Sequence, residues 1–254
     1  MGSTQRAEVA PDDAHARREV WREGLGVAIA TGAYGISFGA LSVASGLDVW
    51  QTSVLSLLMF TGGSQFAFVG VFGAGGVGAL PAAVASAALL GVRNLAYGMR
   101  MSPIIGRGVL RRAVAAQVTI DESTAVAISQ PTTPLRRLGF WVTGLGVFVG
   151  WNIATLLGAL LGDVLGDPRA WGLDAAAAAA FLALLWPRLK ERQAIAVGVA
   201  AAVIAACLTP FIMPGLPVLI AATVAVVVGW FNWFARRNGG ARHGESGTGQ
   251  GART

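Results

Sequence analysis

From residue 49 to residue 92 the chain runs for 44 residues without a charged side chain. Segments 24–47, 138–162 and 193–235 are charge-free as well. A helix that crosses a bilayer needs about 20 mostly apolar residues. The runs 24–47 and 138–162 each have room for one crossing. The runs 49–92 and 193–235 each have room for two, because turn-forming residues break them near the middle: GAGGVGALP at 73–81 and TPFIMPGLP at 209–217. Lipid offers the backbone no hydrogen-bond partners, so such segments must be helices. The expected fold class is an all-α polytopic membrane protein with about seven or eight transmembrane helices.

Composition agrees. Charged residues make up 13% of the chain, against about 25% in soluble domains. The net charge of +6 does not describe a nucleic-acid-binding face, because the bases cluster at the ends of apolar runs. These clusters are Arg17, Arg18 and Arg22; Arg107, Arg111 and Arg112; Arg136 and Arg137; Arg188, Lys190 and Arg192; and Arg236 and Arg237. Cytoplasmic loops of membrane proteins look like this. The single cysteine, Cys207, cannot form an internal disulfide and reads as a small packing residue. The expected organisation is a polar cytosolic or exposed tail (1–23), a transmembrane transporter domain (24–235) and a disordered Gly-rich C-terminal tail (236–254), with no cleaved signal peptide.

The expected spans are roughly 24–46, 49–72, 77–101, 139–162, 171–187, 193–209 and 217–235. Residues 113–130 are ambiguous: long enough for a short span, but carrying Asp121 and Glu122. Orientation exposes the conflict. If 113–130 crosses, Arg107, Arg111 and Arg112 face outside while the amino terminus is inside. If it does not, those arginines are inside and the amino terminus is outside. An extra segment that is short or partly re-entrant remains open. A faint repeat allows two halves of about four segments: GLGV occurs at 24–27 and 144–147, and SGLD at 45–48 is echoed by WGLD at 171–174.

Two formal motifs mislead. GISFG at 35–39 matches the nucleophile elbow, but it lies in an apolar helix with no downstream histidine outside the tail. Its glycines read instead as a small-residue face for close helix contact, as do Gly146, Gly150, Gly158 and Gly162. GAGGVG at 73–78 formally fits a dinucleotide fingerprint but lacks the acidic residue about 20 positions later, so it reads as a hairpin turn. No metal-ligand cluster is visible; no enzyme activity, cofactor or metal is expected.

The candidate site residues are polar groups inside apolar helices. An ionisable group near the bilayer centre costs about 2.5–3.5 kcal/mol on insertion scales. Arg93, Tyr97 and Arg100 share one helical face, with Asn94 beside them. Arg93 either snorkels or pairs with Asp121, Glu122 or a substrate carboxylate, which its planar fork suits. Asp121, Glu122 and Ser123 lie in a loop or interfacial helix, or in a wet cavity. TGGSQ at 61–65 interrupts its helix: Gly62 and Gly63 weaken it, while Ser64 and Gln65 supply donors and acceptors. Broken helices bind zwitterions and ions in transporters; the plainer alternative is a packing notch. Asp174 caps a helix at the interface or faces a solute, and Asn152 reads as helix–helix glue. Phe38, Phe60 and Phe66 are expected to line a cavity for an aliphatic side chain.

FTGGSQFAFVGVFGAG, LGVRNLAYGMRMSP, TIDESTAVA and WGLDAAAAAAFLALLWPRLK, in that order, resemble the AzlC family of branched-chain amino acid permeases. The family's pattern corresponds to Gln65 in a broken helix, Asn94 with Arg93, Asp121–Ser123 and Gly172–Asp174. One departure is the order Arg93-Asn94; in the family the arginine follows the asparagine by two residues, and Ala96 stands there. The resemblance implies export of branched-chain amino acids by a secondary carrier in the plasma membrane, with multiple passes and a bacterial inner-membrane setting. It also implies a small hydrophobic AzlD-like membrane subunit as partner. The rival readings are a non-transporting membrane assembly subunit and a permease for another small hydrophobic solute.

Overall fold

The computed structural model describes residues 11–165, 182, 186, 189, 192–212 and 216–231, and every regular element among them is helical. Within residues 11–165 these are α1 (Pro11–Ala44), α2 (Val49–Leu58), α3 (Gly62–Gly75), α4 (Leu80–Ile105), α5 (Val109–Gln117), α6 (Asp121–Ser129) and α7 (Thr133–Leu165). A second unit contains α8 (Arg192–Leu208) packed against α9 (Leu216–Phe231). Cys207 is exposed on α8 rather than packed. The expected span at 171–187 falls almost wholly outside the described residues.

The frame is the pair α1 and α7, with 34 and 33 residues and so about 50 Å each at 1.5 Å per residue. They run parallel and in constant register. A Cβ on Gly24 would meet Thr143, one on Gly146 would meet Ala28, one on Gly32 would meet Gly150, and one on Gly162 would meet Ala40. The approach is closest at Gly39 and Gly158, where a Cβ would stand 2.0 Å from the Thr155 and Ile36 carbonyl oxygens. The GISFG glycines are thus a contact face, as are Gly146 and Gly158 across from it. Small residues let backbones touch where no hydrophobic drive operates between helices in lipid. The two GLGV words also lie alongside one another on this pair.

Segment 49–72 does not cross, contrary to the span expected there. Level with the α1–α7 register, Ser56 Oγ reaches Thr155 Oγ1 (3.4 Å) and Phe60 packs on Phe148 (5.0 Å between ring centroids). Phe66 then meets Phe38, and Gly73 returns to Ser45 at the end of α1. The chain therefore descends through α2, reverses, and climbs back in α3 to the face where it started. The reversal is local chemistry. Asp48 caps α2 by accepting from the Gln51 N–H (2.7 Å), and the Asp48 N–H donates back to Gln51 Oε1 (3.0 Å). The Thr61 N–H donates to the Met59 carbonyl (2.8 Å), closing a three-residue turn at Phe60. Gln65 Nε2 donates to the Ser56 carbonyl (3.3 Å), tying the arms together.

After α3, a turn at Gly76 (φ 58°) and a short 3₁₀ segment lead into α4, which packs antiparallel to α3. This is the hairpin expected from GAGGVG. The α4 helix has 26 residues, about 39 Å, and passes to the opposite face. Residues 113–130 then form a second reversal from that face. Arg112 Nη2 donates to Ser102 Oγ near the end of α4 (2.8 Å), Val118 lies against Gly144, and Val126 is back against Gly139. Its tip is closed by Ser123, whose Oγ accepts from the Ile120 N–H (3.1 Å) and donates to the Val118 carbonyl (2.8 Å).

With both hairpins re-entrant, the orientation conflict disappears. Arg17, Arg18, Arg22, Arg107, Arg111, Arg112, Arg136 and Arg137 all lie toward one end of the frame. The opposite end of this unit carries Asp48 and Asp163 and no base among its described residues. Among the described residues of this unit, only α1, α4 and α7 are long and apolar enough to cross.

Candidate functional site

The two hairpin tips meet inside the frame. Phe60 from the first and Ile120 from the second share one core with Phe38, Phe66, Val147 and Trp151. Gln117, at the end of α5, donates from Nε2 to the Leu57 carbonyl at the end of α2 (2.8 Å). Each tip is where one helix ends on its carbonyls and the next begins on its amides. The first turn of a helix leaves its N–H groups without intrahelical partners and carries partial positive charge. At α3 no side chain caps these amides. At α6 the first two residues are Asp121 and Glu122, the sign that suits a helix amino end.

Arg93 sits between the tips. It occupies the middle of α4, with Leu80 and Ile105 as the ends, so it lies roughly 18–20 Å from either end. Snorkelling cannot bridge that distance. Its Nη1 pairs with Asp121 Oδ2 at 3.5 Å, with the side chains 30% and 36% exposed. On its other side Nη2 lies 3.0 Å from where a Cβ on Gly63 would stand. The neighbouring Gly62 is filled in the same sense by the Trp151 ring, 3.3 Å from its Cβ position. The glycine pair thus lets an arginine and a tryptophan close on the amino end of α3.

Several buried polar atoms on these same elements lack a hydrogen-bond partner: Ser64 Oγ, Gln65 Oε1, Arg93 Nε, Asn94 Oδ1, Thr124 Oγ1 and Trp151 Nε1. Buried polar groups are paired in the great majority of proteins; Thr52 Oγ1, Ser86 Oγ, Thr143 Oγ1 and Asn152 Oδ1 are unpaired as well, so these atoms are spread along α2, α4 and α7 as well as the tips. Gln65 is fully buried, and Glu122 and Tyr97 are half-buried nearby in sequence. Asn152 donates only to the Phe148 carbonyl of its own helix (2.8 Å), not to a neighbouring one.

The expected aromatic cavity is absent among the described residues, because the rings fill it. Phe38 meets Phe66 edge-on at 5.5 Å and stacks on Trp151 at 5.9 Å, and Phe38 and Phe66 are buried. Open space among the described residues lies in two apolar grooves, one of about 760 Å³ along α1 and α7 and one of about 390 Å³ between the first hairpin and α4, and only the second borders the hairpin tip. Leu55, Met59, Phe68, Val84, Ala87 and Gly91 line it together with Thr61 and Ser64, and the surface they present is apolar throughout. Asp174 lies outside the described residues. Sequence reasoning passed over Gln117, which sits in an ordinary amphipathic helix; only its position just before a helix break could have drawn notice.

Residues 26–165, which hold most of α1, both hairpins, α4 and α7, match the AzlC protein family. A protein of Archaeoglobus fulgidus described as an uncharacterized membrane protein is 30% identical over 161 residues, 62% of this chain and 68% of that one. No solved structure matches. With helices long and apolar enough to cross a bilayer and a family match covering more than half its length, this chain is a membrane protein of the AzlC family.

Proposed function

We propose that the chain is a secondary carrier exporting branched-chain amino acids, and that the solute binds where the two hairpin tips meet. The observation that carries this reading is the Arg93–Asp121 pair at mid-depth, held against the uncapped amino end of α3. An amino acid brings a carboxylate and an ammonium a few ångströms apart. The first hairpin tip offers the complement over three residues: the carbonyl end of α2 and the amide end of α3. Arg93 and the amides of Gly62, Gly63 and Ser64 receive the carboxylate. Asp121 and Gln65 Oε1 receive the ammonium. The cavity beside Thr61 and Ser64 takes the aliphatic side chain; its size is at the small end of ligand sites. Binding exchanges the internal ion pair for two intermolecular ones, so neither charge is stranded in lipid.

The basic end of the frame is cytoplasmic by the positive-inside rule, in a bacterial inner membrane. A small hydrophobic AzlD-like subunit completes the assembly. The test is efflux of labelled valine from liposomes containing the purified chain, with and without that subunit. Gln65→Ala and Asp121→Asn should abolish efflux, with a loss of about 1–2 kcal/mol of stability in Asp121→Asn that still leaves folded protein to assay. Wild-type rates from both variants would reject the site, and no transport by the intact assembly would favour a non-transporting assembly role.

A further inference from the structure

The loop between α4 and α5, with the first turn of α5, reads GRGVLRR from Gly106 to Arg112, a basic stretch that plays no part in the site above. Gly106 and Gly108 have φ of +91° and +121°, a left-handed backbone suited to glycine. Arg111 Nη1 and Arg137 Nη2 both lie 3.8 Å from the position a Cβ on Gly106 would take. These two guanidinium nitrogens are therefore no more than twice that distance apart. Arg137 is held in place by its Nε, which donates to the Ile104 carbonyl, and its Nη2 lies beside Gly106. Arg112 is anchored on Ser102 Oγ at 2.8 Å beside them. Among the described residues no carboxylate forms an ion pair with Arg107, Arg111, Arg112 or Arg137. Like charges this close repel, and an anion seated between them would be held by both.

The geometry points to the phosphate of an anionic phospholipid. Two phosphate oxygens, each about 2.9 Å from a guanidinium nitrogen, span a gap of this size, and the planar fork of arginine suits phosphate. The uncapped amino end of α5 lies at the same loop. Next to the arginines, Val109 and Leu110 are 88% and 79% exposed. Apolar side chains beside a phosphate held at the end of a membrane helix would meet acyl chains, which a free phosphate ion lacks. Basic pockets on the cytoplasmic side of membrane helices hold lipid headgroups in this way.

The test is native mass spectrometry of the intact protein in detergent, titrated with phosphatidylglycerol, phosphatidylcholine or inorganic phosphate. The expected result is a preference for phosphatidylglycerol over phosphatidylcholine. Each arginine near an anionic surface is worth roughly fivefold, so R111Q/R137Q should lower that preference roughly 30-fold. Since Arg137 also braces Ile104, R111Q alone, on an exposed side chain, should lower it roughly fivefold with unchanged melting behaviour. Equal binding of the two lipids, a full preference retained by R111Q, or displacement of phosphatidylglycerol by equimolar inorganic phosphate would overturn the assignment.

Discussion

Neutralising Asp121 leaves the guanidinium of Arg93 without its partner near the middle of α4. A lone charge at the centre of a bilayer costs about 2.5–3.5 kcal/mol. The side chains of Arg93 and Asp121 are 30% and 36% exposed, so water reaches them and the figure must be discounted. We expect Asp121→Asn and Arg93→Gln each to destabilise the fold by about 1–2 kcal/mol. The double variant R93Q/D121N removes both charges together and should lie within about 0.5 kcal/mol of wild type. The cycle thus predicts a strong, non-additive coupling, measurable by denaturant titration in micelles. Valine efflux separates structure from function: the double variant should fold normally and still fail to transport. Additive losses would refute the ion pair as a structural unit. Recovery of efflux along with stability would refute the role of either charge in holding the solute.

Other expectations follow from the same geometry. In a Cys207→Ser background, single cysteines at Val77 and Asp48 should react with an impermeant maleimide from the same side, and cysteines at Arg107 and Thr132 from the other; Asp48 and Val77 labelling from opposite sides would sink the re-entrant α2–α3 hairpin. Gly39→Ala drives a methyl group against the Thr155 carbonyl and should cost about 1–3 kcal/mol or more, whereas Gly26→Ala, with nothing within 4 Å, should be neutral or stabilise by up to about 1 kcal/mol; equal melting of the two would contradict the α1–α7 register. Gln117→Ala removes the bond to the Leu57 carbonyl, worth about 1 kcal/mol, and should speed amide exchange at both hairpin tips roughly fivefold, a change that exchange mass spectrometry can resolve.

What could be read from the sequence, and what could not, divides along the range of the forces involved. Charge-free runs mark α1, α4 and α7 because lipid acts on each residue separately. Glycines at 35, 39, 146 and 158 announce a close helix contact because their spacing is local, and Gly76 marks its turn for the same reason. Whether 49–72 passes through or turns back is another matter. Its residues suit lipid either way, and the outcome rests on distant partners, with Trp151 against Gly62, Phe38 against Phe66 and Ser45 against Gly73. Residues 113–130 look ambiguous because a re-entrant pair carries half the features of a span and half those of a loop. Polar groups in apolar helices pointed to Gln65, Arg93 and Asp121. The misplaced aromatic cavity has a simple cause: large rings close on one another unless something holds them apart.

The parallel docking of α1 on α7 has a bearing on how the protein is made. The glycine face of α1 finds its mate only when residues up to about Gly162 have left the ribosome. Everything in between, including both hairpins, is synthesised before the groove that receives it exists. Helices of 10, 14, 9 and 9 residues fall short of the roughly 20 needed to hold themselves across lipid. They must wait at the surface or in the insertion machinery and slot in last. Nascent chains arrested near residue 130 should accordingly be cut by protease within 49–75, and chains arrested well beyond α7 should resist.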